Sequence, residues 1–170
     1  MNARRWLAAG SLIVACLLGG SLVRGDIYFS PGGGTETRLI NEINLCRRTL
    51  DCAVFNISSS AVARAIVAAK NRGVTVRVVS DYSQWQSSSS QVNYLRSNGV
   101  QVHILGSTSP YQLMHDKYAV FDNARMETGS YNWTVSANTT NYENADFMSD
   151  AATVTAYEGN FNRLWALAHR

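Results

Sequence analysis

The chain has 170 residues, of which 46% are hydrophobic and 16% charged, so it is not disordered and has room for one ordinary domain. Its formal net charge of +3 comes from Arg4, Arg5 and Arg24, because the chain from Asp26 onward holds 12 basic and 12 acidic residues. This balance excludes a strongly basic nucleic-acid footprint at the level of net charge, though not a local basic patch.

The first 25 residues are predicted to be a targeting or anchoring segment and not part of the fold. Arg4 and Arg5 precede an apolar run over residues 6–23, the pattern of a secretory signal and barely long enough to span a bilayer. The sequence around Cys16 also resembles a bacterial lipoprotein signal. We therefore expect residues 1–25 to be a signal peptide or an N-terminal membrane anchor, followed by one domain over residues 26–170.

From Asp26 onward, strand and helix patterns alternate along the chain. The predicted elements are a strand over 27–29, a helix over 35–48, a strand over 50–57, a helix from the serines at 58–60 to Gly73, a strand over 74–80, a polar loop over 81–90, a helix over 91–98 and a strand over 100–105. This order predicts a mainly parallel sheet with helices packed on its faces.

The second half of the chain departs from this alternation. Strands predicted over 117–122 and 125–129 are separated only by Asn123 and Ala124, which indicates a hairpin. A loop or irregular helix over 135–144, a strand over 145–149 and a helix over 152–168 complete the chain. We therefore expect a single α/β domain with a mixed, mainly parallel sheet that carries helices on both faces.

The predicted hairpin brings polar side chains together at one end of its two strands. With a two-residue turn, Lys117 faces Ser130 and His115 faces Asn132. Because side chains alternate along a strand, all four point to one side of the sheet, and Asp122 points to the other. This alignment depends on the length of the turn, since a change of one residue would break it.

The residue types in this group suit phosphate chemistry. An imidazole can attack phosphorus or move a proton, and a lysine ammonium neutralises phosphate oxygens. Hydroxyl and amide groups add hydrogen bonds where negative charge develops. A carboxylate on the far ring nitrogen would set the tautomer of His115, and Glu143 is the obvious candidate, although strand pairing does not place it.

These residues carry a family resemblance. The segment HDKYAVFD over 115–122 resembles the HxKxxxxD pattern of the phospholipase D superfamily, and GSYNWT over 129–134 resembles that family's GSxN(W/F)(T/S) element. The segments NYEN over 141–144 and YFSP over 28–31 also resemble family elements, so the resemblance covers about residues 27–167. The chain is most similar to the small single-motif branch, which includes bacterial endonucleases and the mitochondrial cardiolipin hydrolase/Zucchini type.

The resemblance implies a homodimer with one composite site, because family enzymes use two such motifs and this chain has one. One copy of His115 would attack phosphorus and form a phosphohistidine, while the other would protonate the leaving oxygen and then activate water. The family needs no metal, so no cofactor is expected. The implied site residues are His115 as nucleophile and acid, Lys117, Ser130 and Asn132 as phosphoryl ligands, Glu143 to orient His115, and Asp122 in a structural role.

Two further pairs of residues leave alternatives open. Tyr82 and Trp85, in the polar loop, are candidates for contact with a base or a lipid, or for packing within the domain. Cys46 and Cys52 would pair in an oxidising compartment, or else are two small buried hydrophobic residues. No histidine joins the cysteines at zinc spacing, so a metal site is not expected.

The sequence thus predicts an exported phosphodiesterase, with an endonuclease as the first expectation. The alternatives are a phospholipase D, held at a membrane by residues 1–25, and a catalytically inactive nucleic-acid-binding dimer. Asn132 lies in a glycosylation sequon, where a glycan would block the proposed site. Export to a bacterial periplasm or the extracellular space is therefore predicted, with membrane anchoring as the alternative.

Overall fold

The computed structural model describes residues 25–109 and 112–169. Residues 1–24, most of the predicted signal or anchor, lie outside the described residues. Within the described part, no helix is both long and apolar enough to cross a membrane. The elements are β1 (Asp26–Ser30), α1 (Thr35–Leu45), β2 (Thr49–Val54), α2 (Ser60–Asn71), β3 (Thr75–Asp81), α3 (Tyr82–Trp85), α4 (Val92–Ser97), β4 (Gln101–Leu105), β5 (Lys117–Phe121), β6 (Arg125–Gly129), α5 (Val135–Thr139), β7 (Glu143–Met148) and α6 (Ala151–Leu167).

The seven strands form one mixed sheet in the order β1-β7-β6-β5-β2-β3-β4. Its α/β class and mixed character agree with the prediction, but the expectation of mainly parallel pairing is wrong. Only β2–β3 and β3–β4 are parallel, whereas the other four pairings are antiparallel. The reason is that β1 does not join β2 through α1, as the βαβ pattern suggested, but crosses to the far edge and pairs with β7.

Helices cover both faces of the sheet, as predicted, and each face has its own apolar core. The larger core lies under α1 and α2, and its largest fully buried side chains include Tyr131, Trp133 and Phe121. The smaller core lies under α6, where Phe161 packs with Val154 and Tyr118. The sheet is thus a rigid layer held from both sides, with its strand ends left to carry loops.

Two element boundaries differ from the prediction because polar side chains intervene. The polar loop after β3 contains the short helix α3, since the Asp81 carboxylate accepts hydrogen bonds from the backbone N–H groups of Ser83 and Gln84. Helix α1 ends at Leu45 instead of Arg48, because the N–H groups of Arg47 and Arg48 bond to Asp122 and not to helix carbonyls.

The predicted register of the hairpin is wrong by one residue. The connection between β5 and β6 has three residues, so Phe121 pairs with Arg125 and Tyr118 with Thr128. Asp122 and Asn123 both adopt positive φ angles, 56° and 53°, which makes the extra residue possible. The predicted pairs Lys117–Ser130 and His115–Asn132 therefore do not form, and another feature must bring these side chains together.

Cys46 and Cys52 are both free thiols, so the pairing considered above is not formed. Both lie in the larger core, which matches the alternative of two small buried hydrophobic residues. Burial raises the pKa of the Cys46 thiol to about 12 and also raises the pKa of Cys52. Because the thiolate is the species that reacts, burial protects both cysteines from oxidation.

Candidate active site

The predicted site residues lie near the strand ends on one side of the sheet, where β2 ends and β5 begins. His115 lies two residues before β5, while Ser130 immediately follows β6 and Glu143 opens β7. Because β5 runs antiparallel to both β2 and β6, the start of β5 lies beside the ends of β2 and β6. The fold thus explains the gathering without the register that the sequence predicted.

His115 and Lys117 contact each other directly. The Lys117 ammonium donates a hydrogen bond to the main-chain oxygen of His115 at 2.6 Å, and its Nζ lies 3.3 Å from Nδ1 of the His115 ring. The exposed His115 ring packs against the Phe55 ring, with centroids 4.6 Å apart. Where Lys117 donates to Nδ1, the neutral imidazole carries its proton on Nε2.

Lys117 is a buried cation, only 9% exposed. Burial lowers the pKa of Lys117 below its ordinary value of 10.5, and the charges of Asp116 and Glu143 oppose this shift only in part. A buried ammonium with few competing waters interacts strongly with an anion that enters the site. Lys117 is therefore well placed to neutralise the oxygens of a bound phosphate.

Ser130 and Glu143 form a second contact pair in the site. The Ser130 hydroxyl donates to a Glu143 carboxylate oxygen at 2.5 Å, and the Asn141 amide donates to the other oxygen at 3.1 Å. In the described residues of one chain, Glu143 makes no hydrogen bond with His115, so the structure does not reproduce the implied orienting contact. Glu143 instead positions the Ser130 hydroxyl.

The segment after β6 places Ser130 and Asn132. The backbone N–H groups of Ser130 and Tyr131 share the carbonyl of Asn144, so two residues oppose one, as in a β-bulge. The chain then runs beside the end of β2, where the backbone N–H of Trp133 donates to the Asn56 carbonyl. This route brings Asn132 next to the segment that carries Phe55, although the side-chain oxygen of Asn132 has no hydrogen-bond partner among the described residues.

Asp122 lies at the opposite end of β5 from His115. Its carboxylate accepts hydrogen bonds from the backbone N–H groups of Arg47, Arg48 and Thr49, at 2.7–3.1 Å. Burial alone would raise the pKa of Asp122, but these hydrogen bonds outweigh it and hold that pKa below its ordinary value. The carboxylate therefore joins the hairpin to the α1–β2 turn, remote from His115.

Beside the site lies a groove of about 610 Å³, which we call the neutral groove. Phe55, Tyr82, Gln84, Thr108 and Leu113 are among its lining residues. Sequence reasoning found Tyr82 but missed Phe55 and Leu113, whose only signal was closeness along the chain to β2 and to His115.

Trp85, the other aromatic residue considered for substrate contact, packs within its own domain. Its indole N–H donates to Asn93 at 2.9 Å, and the Arg96 guanidinium lies 5.0 Å from its ring centre. Trp85 is not among the residues that line the neutral groove. In the described residues, no three His, Cys, Asp or Glu side chains are grouped so that they could hold a metal ion.

Comparison with known proteins identifies the family. A family model described as "Cardiolipin synthase, PLD-like domain" matches residues 39–165. The mitochondrial cardiolipin hydrolase of Xenopus tropicalis is 42% identical over 129 residues, which is 76% of this chain and 60% of that protein. The corresponding protein of Chlamydomonas reinhardtii is 32% identical over 146 residues, 86% of this chain and 64% of that protein.

A solved structure agrees with the fold. The phospholipase D family member Nuc from Salmonella typhimurium superposes with a TM-score of 0.79 at 25% identity, and covers 86% of this chain and 97% of that one. The chain belongs to the phospholipase D superfamily of hydrolases, as its motifs indicated. It spans about 60% of the length of the first curated relatives it matches.

These comparisons correct the predicted location. Export to a bacterial periplasm or the extracellular space is contradicted, because the relatives from Xenopus tropicalis, Chlamydomonas reinhardtii and Homo sapiens are all named mitochondrial cardiolipin hydrolases. The prediction rested on the apolar run over residues 6–23 and on a sequon at Asn132. An arginine-flanked apolar segment does not by itself identify a destination, which is why this reasoning failed.

Proposed function

We propose that the protein hydrolyses phosphodiester bonds through a phosphohistidine at His115, without a metal. The observation that carries the proposal is the exposed His115 imidazole in direct contact with the buried Lys117 ammonium. Lys117 neutralises the phosphoryl oxygens, and the Asn132 amide binds them as the P–O bond breaks. The Ser130 hydroxyl also binds them once it releases its hydrogen bond to Glu143.

The reaction has two steps. In the first, a ring nitrogen of one His115 bonds to phosphorus, the bond from phosphorus to the leaving oxygen breaks, and a second His115 gives that oxygen a proton. In the second, a water gives a proton to the second His115 and bonds to phosphorus, and the P–N bond breaks. Both imidazoles return to their starting protonation states.

The two copies of His115 need different protonation states, which supports a composite site in a homodimer. The acid is an imidazolium, which becomes neutral when it gives up its proton, whereas the nucleophile is a neutral imidazole with an unprotonated nitrogen that faces phosphorus. One imidazole does not hold both states at once, so a second chain supplies the other role.

The surface beside the site supports the same proposal. Phe29 and Tyr142 are 64% and 92% exposed, and together with Ser130 and Glu143 they line a shallow pocket. Large apolar side chains with this much exposure are typical of surfaces that a partner covers. We propose that a second copy of the chain covers this surface and completes the site.

We propose a phospholipid as the substrate. The curated relatives matched above are named cardiolipin hydrolases, and residues 26–170 carry no net charge, which does not favour a polyanionic ligand. The endonuclease stays a prediction that rests on the resemblance to short bacterial members. The inactive dimer is the weakest alternative, because the motif residues are all present.

The names of these relatives also favour a mitochondrial location, which we include in the proposal. Fractionation of eukaryotic cells that express the tagged full chain tests this part of the proposal. Recovery with mitochondrial markers is expected, and recovery only in the medium would contradict it.

The activity is tested with the purified full chain in EDTA, incubated with phospholipid vesicles, single-stranded RNA and plasmid DNA in parallel. We expect release of lipid head groups and an acid-labile phosphoryl adduct on His115. Cleavage of nucleic acid alone would make the protein a nuclease. Activity that persists in His115→Ala would contradict the mechanism.

The dimer is tested by purifying heterodimers of wild-type and His115→Ala chains that carry different tags. A composite site needs both histidines, so the heterodimer should be almost inactive. Half of the wild-type activity would mean that each chain works alone. Tyr142→Asp, on the exposed surface, should shift sedimentation towards the monomer.

A further inference from the structure

The neutral groove adjoins the site at Phe55. The Phe55 ring lies in the groove wall, and its centroid is 4.6 Å from the centroid of the His115 ring and 5.0 Å from Nζ of Lys117. A substrate whose phosphate lies at His115 and Lys117 therefore meets Phe55 next, and its remaining part can extend into the groove.

One buried carboxylate holds both walls of the groove. Asp81, fully buried, accepts from the N–H of Ser83 at the start of α3 and from the N–H of Met114 at 2.8 Å each. The first bond fixes the wall that carries Tyr82, and the second fixes the wall that carries Leu113. The groove is therefore formed before any ligand arrives, and the same bond to Met114 positions the backbone next to His115.

The chemistry of the groove suits an uncharged, apolar ligand. Every described residue that lines it is uncharged, and Phe55, Tyr82 and Leu113 supply its apolar surface. The Gln84 amide oxygen already accepts a hydrogen bond from the Asn56 amide at 2.8 Å. A nucleic acid would carry further phosphates along the groove with no cation among the described lining residues to meet them.

We infer that the neutral groove binds the glyceryl and acyl portion of a phospholipid whose phosphate lies at His115. The inference rests on the proposed function and adds the residues that select the substrate. Leu113, 43% exposed in the groove wall, buries its side chain against the acyl chain and sets part of the affinity. Tyr82 faces the same ligand from α3.

The test compares two phosphodiesters that release the same alcohol, dihexanoylphosphatidylglycerol and its deacylated form, glycerophosphoglycerol. Both yield free glycerol, so one assay measures both. Leu113→Asn removes the apolar contact with little change in size and no change in charge. Leu45→Asn is the matched control, because Leu45 is 51% exposed at the end of α1, at the opposite end of the molecule near Asp122.

We expect the wild-type full chain to prefer the acylated substrate in kcat/KM. Leu113→Asn should lower kcat/KM for that substrate by about tenfold, mainly through KM, because burial of one leucine-sized side chain is worth at least that factor. Hydrolysis of glycerophosphoglycerol should be unchanged, and Leu45→Asn should behave as wild type. Thermal melting of each variant verifies that it is folded.

Other results separate the inference from the proposed function. Equal kcat/KM for both substrates, or equal effects of Leu113→Asn and Leu45→Asn, would overturn the groove assignment while hydrolysis stands. If neither substrate is hydrolysed, the proposed function fails, and calorimetric binding of dihexanoylphosphatidylglycerol decides the groove. Affinity lost only in Leu113→Asn then supports it. Single-stranded RNA binding that weakens in Leu113→Asn, with lipid binding unchanged, overturns it in favour of nucleic acid.

Discussion

The two ends of strand β5 carry the two halves of one sequence motif, and they differ in how far their polar groups are hydrogen-bonded within the chain. At the far end, the Asp122 carboxylate accepts three backbone N–H groups and is satisfied within the chain. At the near end, His115 is exposed and the Asn132 oxygen has no hydrogen-bond partner among the described residues. The far end stabilises the fold, whereas the near end keeps hydrogen-bonding capacity for a ligand.

Proximity along a motif does not imply a shared role. His115 and Asp122 are seven residues apart in the chain. The five-residue strand β5 lies between them, so their side chains are at opposite ends of that strand. Substitutions at the two ends should therefore affect different measurements.

The near end should control activity. We expect His115→Ala to lower kcat by about 10³-fold or more, because the phosphoryl adduct and the proton transfer both need the imidazole. The variant should melt at nearly the wild-type temperature, since the exposed ring contributes little to the core. A large loss of stability in His115→Ala, measured by urea titration, would contradict this separation of roles.

The far end should control stability. Asp122→Ala removes the acceptor of three backbone N–H groups, and we expect it to lower the free energy of unfolding by about 2 kcal/mol. Asp122→Asn keeps one side-chain oxygen and should lose less. At a temperature where the variants remain folded, kcat/KM should match the wild type. Loss of activity without loss of stability would give Asp122 a role in the chemistry.

Between the two ends, β6 carries a buried acid that responds to pH. Glu127 is fully buried, and burial raises its pKa from 4.5 to about 8. Because the folded-state pKa lies above the unfolded value, the fold binds this proton more tightly, and that stabilisation is lost as the pH rises from 4.5 towards 8.

Urea titrations of wild type and Glu127→Gln across this pH range measure the effect. The wild type should lose on the order of 1 kcal/mol of stability per pH unit relative to Glu127→Gln, whose side chain does not titrate. Parallel pH profiles for the two proteins would show that Glu127 does not titrate in this range.

The smallest expected effect concerns the pH profile of the near end. Burial lowers the pKa of Lys117, so activity that needs its charge should decline at a lower pH than a free lysine would allow. The arginine of Lys117→Arg stays charged, so the remaining activity of that variant should decline only at a higher pH than the activity of the wild type. The profile of kcat/KM checks this, and an unchanged alkaline decline would mean that another group titrates there.

Most elements of the fold could be predicted from the sequence, because hydrophobic periodicity and caps are local signals. The helix after Ser59, with Gly73 at its end, and the closing helix before Ala168 lie within a residue or two of their predicted positions. The exceptions are places where a carboxylate accepts hydrogen bonds from backbone N–H groups. Asp122, distant in the chain, does so after α1, and the neighbouring Asp81 does so at α3.

The sequence by itself determined the superfamily and predicted the residues of the candidate site, since the identity and spacing of His115, Lys117, Ser130, Asn132 and Glu143 are properties of the chain alone. Only the tertiary structure decided their arrangement. In the structure, β1 pairs with β7 at the far edge of the sheet, and the hairpin turn has three residues instead of two. Within the described residues, Glu143 accepts a hydrogen bond from Ser130 and makes none with His115. Strand order and register depend on contacts between segments far apart in the chain, which local patterns do not encode. The neutral groove has the same origin, because Asp81 joins two walls that lie more than twenty residues apart.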